Sequence, residues 1–286
     1  MKRLFTFGDS FSQYAWPMWP SILGQSFEQT YNYGRAGTGN FFTFYKAMQC
    51  LIEQTVNGND VVIIQWTSPT RFDILYDNYW SQMGDATAKI FRDNNTEYLN
   101  SDQMCVIKQL TYMNSIAKIL DSIGCKWHFM FLNKFAMAHS RSHGNDFGIN
   151  WTGHIAESSY YSLQNNLTQY NHKFVSQPIS DFVDQRYAPD PWAMKCSYND
   201  SEQGFIEFID CHPMPSQTMQ WINDYVLPVI SELNIPAMTD YSNHCNAELV
   251  NASKQDGKFN LYHPHIIAQR FEDFNLNNNY KFITNV

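Results

Sequence analysis

Three short apolar runs, set widely apart, constrain this chain most: Leu4 to Phe7, Val61 to Trp66 and Trp127 to Leu132. Each predicts a strand, and the stretches between them carry helical patterns. Trp19 to Phe27 is helical in pattern, and Phe41 to Val56 puts Phe, Tyr, Met and Leu on one face. Asp102 to Ile123 sets Val106, Leu110, Met113, Ile116, Ala117 and Leu120 at three- and four-residue steps. Strand and helix in alternation imply a mostly parallel sheet covered on both faces, an α/β/α sandwich in three layers. In such sheets ligands sit at the carboxyl ends of the strands.

The first run stops abruptly in Gly8-Asp9-Ser10-Phe11-Ser12. A strand that ends in a tight turn of small residues places a hydroxyl at the sheet's edge, where a nucleophile meets substrate. A plain capped turn reads the same way, so the partners decide. A serine nucleophile needs a base, and the base needs an orienting carboxylate. Phe205 to Ile209 is an apolar run that opens into Asp210-Cys211-His212-Pro213, followed by a helix expected from Pro215 to Leu233. Asp210 and His212, two apart on a loop leaving a strand, can supply that pair.

With Gly8-Asp9-Ser10 first and Asp210-x-His212-Pro213 before a late helix, the chain resembles the GDSL/SGNH hydrolase superfamily. Asn32-Tyr33-Gly34-Arg35-Ala36-Gly37 is similar to that family's Asn-x-Gly-x-x-Gly block. The resemblance implies a flavodoxin-like fold and a catalytic Ser10, His212 and Asp210. It also implies an oxyanion hole built from the backbone amides of Ser10 and Gly37. Where the family usually has Gly-x-Asn-Asp, this chain reads Gln65-Trp66-Thr67-Ser68. The third oxyanion donor therefore passes to the hydroxyl of Thr67 or Ser68, with the guanidinium of Arg71 as the other choice. Arg71 also has a plain reading, a surface arginine paired with Asp73 or Asp77. Facing the pocket, it would favour anionic or sulfated substrates. Asp9, Asn40, Arg71 and Trp66 are the expected substrate contacts. The commoner family spacing is Asp-x-x-His, so Glu207 is a reserve orienter, and His263-Pro264 lacks a carboxylate close before it.

Length and the lack of a Pro- or Ser-rich linker fit one domain, residues 1–235, with an extension at 236–286 packed on the domain or on a partner. Segments 69–101 and 133–202 are long, polar and weakly periodic, and read as loop insertions that carry specificity. Tyr76, Tyr79, Trp80, Trp151, Tyr160, Tyr161 and Trp192 are their candidates for stacking on a sugar or acyl group. Asn275 to Asn279 reads as exposed.

A net charge of -8 excludes an ordinary nucleic-acid binder. With no long apolar run and no signal peptide, the expectation is a cytoplasmic chain, with residence in a virus particle as the other location. The six cysteines, at 50, 105, 125, 196, 211 and 245, show no close pairing and read as reduced. His139, His143 and His154 have a loose zinc-like spacing on a stretch that reads as loop, so neither metal nor cofactor is expected. The expected activity is removal of small acyl groups, O-acetyl on carbohydrate first, from a small-molecule or glycan ester. Lipid or thioester cleavage is a second enzymatic reading. A third belongs to another class: a non-catalytic binding or structural module, such as a virion component, assembling through the tail as an oligomer or larger assembly.

Overall fold

The computed structural model describes residues 2–14, 16–53, 56–76, 79–85, 102–133, 157–182, 195–200, 204–209, 212–256, 259–260 and 280–282. The chain opens with β1 (Arg3–Phe7), α1 (Trp19–Leu23) and β2 (Gln29–Asn32), then α2 (Asn40–Ile52) and β3 (Val61–Trp66). A hairpin of β4 (Arg71–Tyr76) and β5 (Tyr79–Asp85) follows, then α3 (Asp102–Ile123) and β6 (Lys126–Phe131). Next come α4 (Glu157–Thr168) and an antiparallel pair, β7 (Lys195–Asp200) with β8 (Gly204–Ile209). The last elements are α5 (Pro215–Trp221), α6 (Ile235–Asp256), β9 (Phe259–Asn260) and β10 (Tyr280–Phe282).

Five strands form the central sheet in the order β10-β2-β1-β3-β6, and every pairing is parallel. Beyond β6, Phe174 makes a single parallel bridge to Phe129. Alternation along the strands divides the core in two. Phe5, Phe7, Val62, Ile64, Trp66, Phe129 and Phe131 face α2, α3 and α4. Leu4, Val61, Ile63, Met130 and Leu132 face α1, α5 and α6. Helices thus cover both faces, and each fully buried large side chain contributes about 1.5 to 3 kcal/mol. No helix among the described residues is long and apolar enough to cross a membrane.

Several expectations need correction. The segments read as loops contain the β4–β5 hairpin, α4 and β7. Helix α4 is mostly polar, but Leu163 and Leu167, with Tyr170 just beyond it, pack into the core at helical spacing. The helix expected over 215–233 is α-helical only to Trp221. It widens into a π-turn at Ile222–Val226, and Pro228 has no amide to continue the ladder. Strand β8, which leads to Asp210 and His212, is not part of the central sheet but of a separate sheet ordered β8-β7-β9. Of the described residues beyond 235, Met238, Tyr241, Cys245 and Leu249 of α6 are core residues, and β10 pairs with β2.

Candidate functional site

Close packing shapes the turn after β1. A Cβ on Gly8 would collide with Ser12 Oγ and stand 3.0 Å from Gln65 Cβ, so only glycine lets the chain turn here. The Asp9 carbonyl accepts the amides of Ser12 (2.9 Å) and Gln13 (3.0 Å), and Asp9 Oδ1 accepts the Phe11 amide (3.0 Å). These bonds wind one helical turn with Ser10 at its start, and the Ser10 amide takes part in none of them. Ser10 is 7% exposed.

Beneath the turn lies a buried polar network. Asp9, fully buried, also accepts Gln65 Nε2 on Oδ1 (2.8 Å) and Arg71 Nη1 on Oδ2 (3.0 Å). Gln65 Oε1 accepts Ser12 Oγ (3.1 Å) and Trp19 Nε1 (2.5 Å). Asn32 Nδ2 donates to the Ser12 carbonyl (2.8 Å), while its Oδ1 accepts Gly34 N (2.9 Å) and Thr6 Oγ1 (3.0 Å). Satisfied buried networks of this kind fix one geometry.

Arg71 therefore pairs with Asp9, not with Asp73; Asp77 lies outside the described residues. Asp73 instead accepts the Gly39 (2.6 Å) and Phe42 (2.9 Å) amides at the start of α2. Burial pushes its carboxyl above the usual range, while those amides pull it down. The register of the hairpin shifts between Arg71 and Asp73, as at a bulge that re-aims side chains.

Gly37 stands at φ +80°, a conformation that suits glycine, in a loop tied to the serine turn by the Arg35 amide on the Gly8 carbonyl (3.0 Å). Thr67, expected as an oxyanion donor, has its amide bound to Asn40 Oδ1 (2.9 Å) and its carbonyl bound by Asn40 Nδ2 (3.0 Å). Its hydroxyl is buried and meets no hydrogen-bond partner among the described residues. The Ser68 hydroxyl bonds that of Thr70 (2.8 Å). Two expected substrate contacts have structural roles. Asn40 is buried and clamps Thr67, and Trp66 lies in the core, edge-on to Phe129 at 5.4 Å.

His212 reaches this turn through ring contacts. Tyr14 stacks on it at 3.5 Å between centroids and 15° between planes, and Phe11 packs at 4.7 Å. Trp16 stands edge-on at 6.4 Å, and its Nε1 donates to the Pro213 carbonyl (2.9 Å). Asp210 lies outside the described residues, as do Cys211, His139, His143, His154, Trp151, Trp192, His263 and 275–279. The side chains of Tyr76, Tyr79, Trp80, Tyr160, Tyr161, Cys196 and Glu207 lie outside them too. Cys50, Cys105, Cys125 and Cys245 are buried and form no disulfide. Among the described residues no group of three or more His, Cys, Asp or Glu could hold a metal ion.

Sequence reasoning missed Ser12, Asn32 and Gln65 as supports, and Tyr14 and Trp16 as neighbours of the histidine. The aromatic spacing Phe11, Tyr14, Trp16 directly after the serine was the available signal.

Beside Arg71 opens a cleft of about 270 Å³, lined by residues of α2, the β3–β4 turn and α3. No protein-family model and no curated protein matches this chain.

Proposed function

We propose that the chain is a serine esterase of the SGNH type that removes small acyl groups, O-acetyl on carbohydrate foremost. The observation that carries this reading is the contact of His212 with Phe11 and Tyr14, one and four residues beyond Ser10. It brings an imidazole to a buried serine turn at the carboxyl end of a central parallel strand. The order β2-β1-β3-β6, with the bridge at Phe174 beyond it, fits a flavodoxin-like fold with its ligand site between β1 and β3.

In this mechanism His212, oriented by Asp210, takes the proton of Ser10 Oγ as that oxygen attacks the ester carbonyl. The tetrahedral oxyanion is met by the Ser10 and Gly37 amides. The imidazolium returns its proton to the leaving alcohol, and a water activated by the same His212 releases the acid from the acyl-enzyme. A donor preorganised for the oxyanion contributes about 3 to 4 kcal/mol to the transition state.

Hydrolysis of p-nitrophenyl acetate beside longer esters tests the reading. Short-chain turnover and fluorophosphonate labelling on Ser10 are expected. Both should fall by about a thousandfold or more in Ser10→Ala, with the unfolding midpoint held. One observation favours a non-catalytic binding module: of the two hydroxyls expected as a third oxyanion donor, that of Thr67 is buried and that of Ser68 is bonded to Thr70. Absence of both turnover and label would select that module.

A further inference from the structure

We propose that Asp73 is a positioning residue for the oxyanion hole: from the start of the β4–β5 hairpin it holds the Gly37 loop against the serine turn. Its part in catalysis rests on the esterase reading, whereas its hold on the loop does not.

Helix α2 has no cap of its own. Gly39, the residue before it, has no side chain to accept the free amides of the first turn. The acceptor comes from β4, 34 positions later: Asp73 Oδ1 takes the Gly39 amide (2.6 Å) and Oδ2 the Phe42 amide (2.9 Å). A carboxylate placed there also meets the positive end of the helix. A cap supplied by another element does more than close a helix. It ties the loop that carries Gly37 to the hairpin.

The approach is tight. A Cβ on Gly39 would stand 2.7 Å from the Arg71 carbonyl oxygen and 2.9 Å from Asp73 Oδ2, so the bare backbone of Gly39 is what admits the strand. Arg71 completes the hold, since its Nη1 donates to the Thr38 carbonyl (3.4 Å) as well as to Asp9 Oδ2 (3.0 Å) beside the serine. One strand end thus bonds the serine turn and both residues that follow Gly37.

The other end of the loop is fixed as well. The Arg35 amide binds the Gly8 carbonyl (3.0 Å), and the Arg35 carbonyl accepts both the amide (3.3 Å) and the hydroxyl (2.7 Å) of Thr38. The loop is a short bridge anchored on Gly8 at one side and on Asp73 at the other, with Gly37 between the anchors. A backbone donor held in this way needs no rearrangement as charge develops, which is what makes an oxyanion donor effective.

The test sets activity beside amide exchange. In Asp73→Asn the side-chain NH2 faces one of the two backbone amides, donor to donor, so one anchor bond is lost. For p-nitrophenyl acetate kcat is expected to fall about a hundredfold with KM little changed, the mark of a transition-state donor moved out of line. The Thr38 amide, which binds the Arg35 carbonyl rather than Asp73, is expected to exchange about tenfold faster. Asp73→Glu keeps the carboxylate on a longer stem and should lose about tenfold in kcat. Arg3→Met breaks the Arg3–Asp60 pair (2.6 Å) at the other end of β1; it should lower the unfolding midpoint and leave kcat as it is. An unchanged kcat in the Asp73 variants, or an equal loss in Arg3→Met, overturns the proposal. So does faster exchange confined to Gly39 and Phe42, which makes Asp73 a helix cap and nothing more. A native protein that turns over no ester overturns the esterase reading, and Thr38 then decides the clamp by itself: faster exchange supports it and unchanged exchange overturns it.

Discussion

The serine side and the histidine side of the candidate site are held by different forces. Around Ser10, direction is set by hydrogen bonds: Asp9, Gln65, Ser12, Asn32 and Arg71 form one buried network across β1, β2, β3 and the hairpin. Around His212, three aromatic rings set the plane of the imidazole, and one bond from Trp16 to the Pro213 carbonyl fixes the loop. Hydrogen bonds are steep in angle, whereas stacked rings slide at little cost. The serine turn is thus fixed in direction, and three rings bound the plane of the imidazole.

The largest stability effect should come from breaking the network. Arg71→Met leaves the buried Asp9 carboxylate without its cation and is expected to cost about 3 kcal/mol in urea unfolding. Asp9→Asn in the same background should restore much of that loss. Simple additivity in this cycle would show that the two side chains do not act as a pair.

Acid weakens the fold from a third place and sharpens the contrast by lying in neither half. His128 on β6 has its imidazole pushed down from 6.5 to about 4, first by burial and then by the charge of Lys173, with smaller contributions from His172 and Lys126. The unfolded chain takes up the proton first. His128's contribution is therefore complete above about pH 6.5 and is lost as the pH falls towards 4, to a total of about 3 kcal/mol. Urea midpoints followed across that window should flatten in His128→Leu. An unchanged slope would place the sensitive group elsewhere.

The smallest effect should be at the stacked ring. Tyr14→Phe keeps the stack and should leave kcat and its pH profile as they are. Tyr14→Ala frees the imidazole plane and should lower kcat about tenfold, equivalent to about 1.4 kcal/mol, with KM little changed. A loss shared by both variants would mean that the hydroxyl matters and the stack does not.

What could be read from sequence follows from how local each cause is. β3, α3 and the serine turn were legible because the apolar run, the helical period and the small residues each act within a few positions. β2 was not, since Gln29 to Asn32 is short and polar and becomes a strand only between β1 and β10. The partner of Arg71 was missed because Asp9 is distant in sequence, while the nearer Asp73 is taken by the start of α2. The strand Gly204–Ile209 was legible from its apolar run, but not its departure to a separate sheet, since an apolar run does not say which sheet it joins.

The pairing of β10 with β2 sets an order in time. Thr30 meets Tyr280 about 250 positions away, whereas Gln29 meets Arg3 about 26 away. Closing the longer loop costs about 2 kcal/mol more in chain entropy, so β1, β2 and β3 can assemble while that edge is still open. During this interval the outer rim of β2 can pair with a neighbouring chain. Amide exchange pulsed through refolding should find that rim the last part of the sheet to be protected.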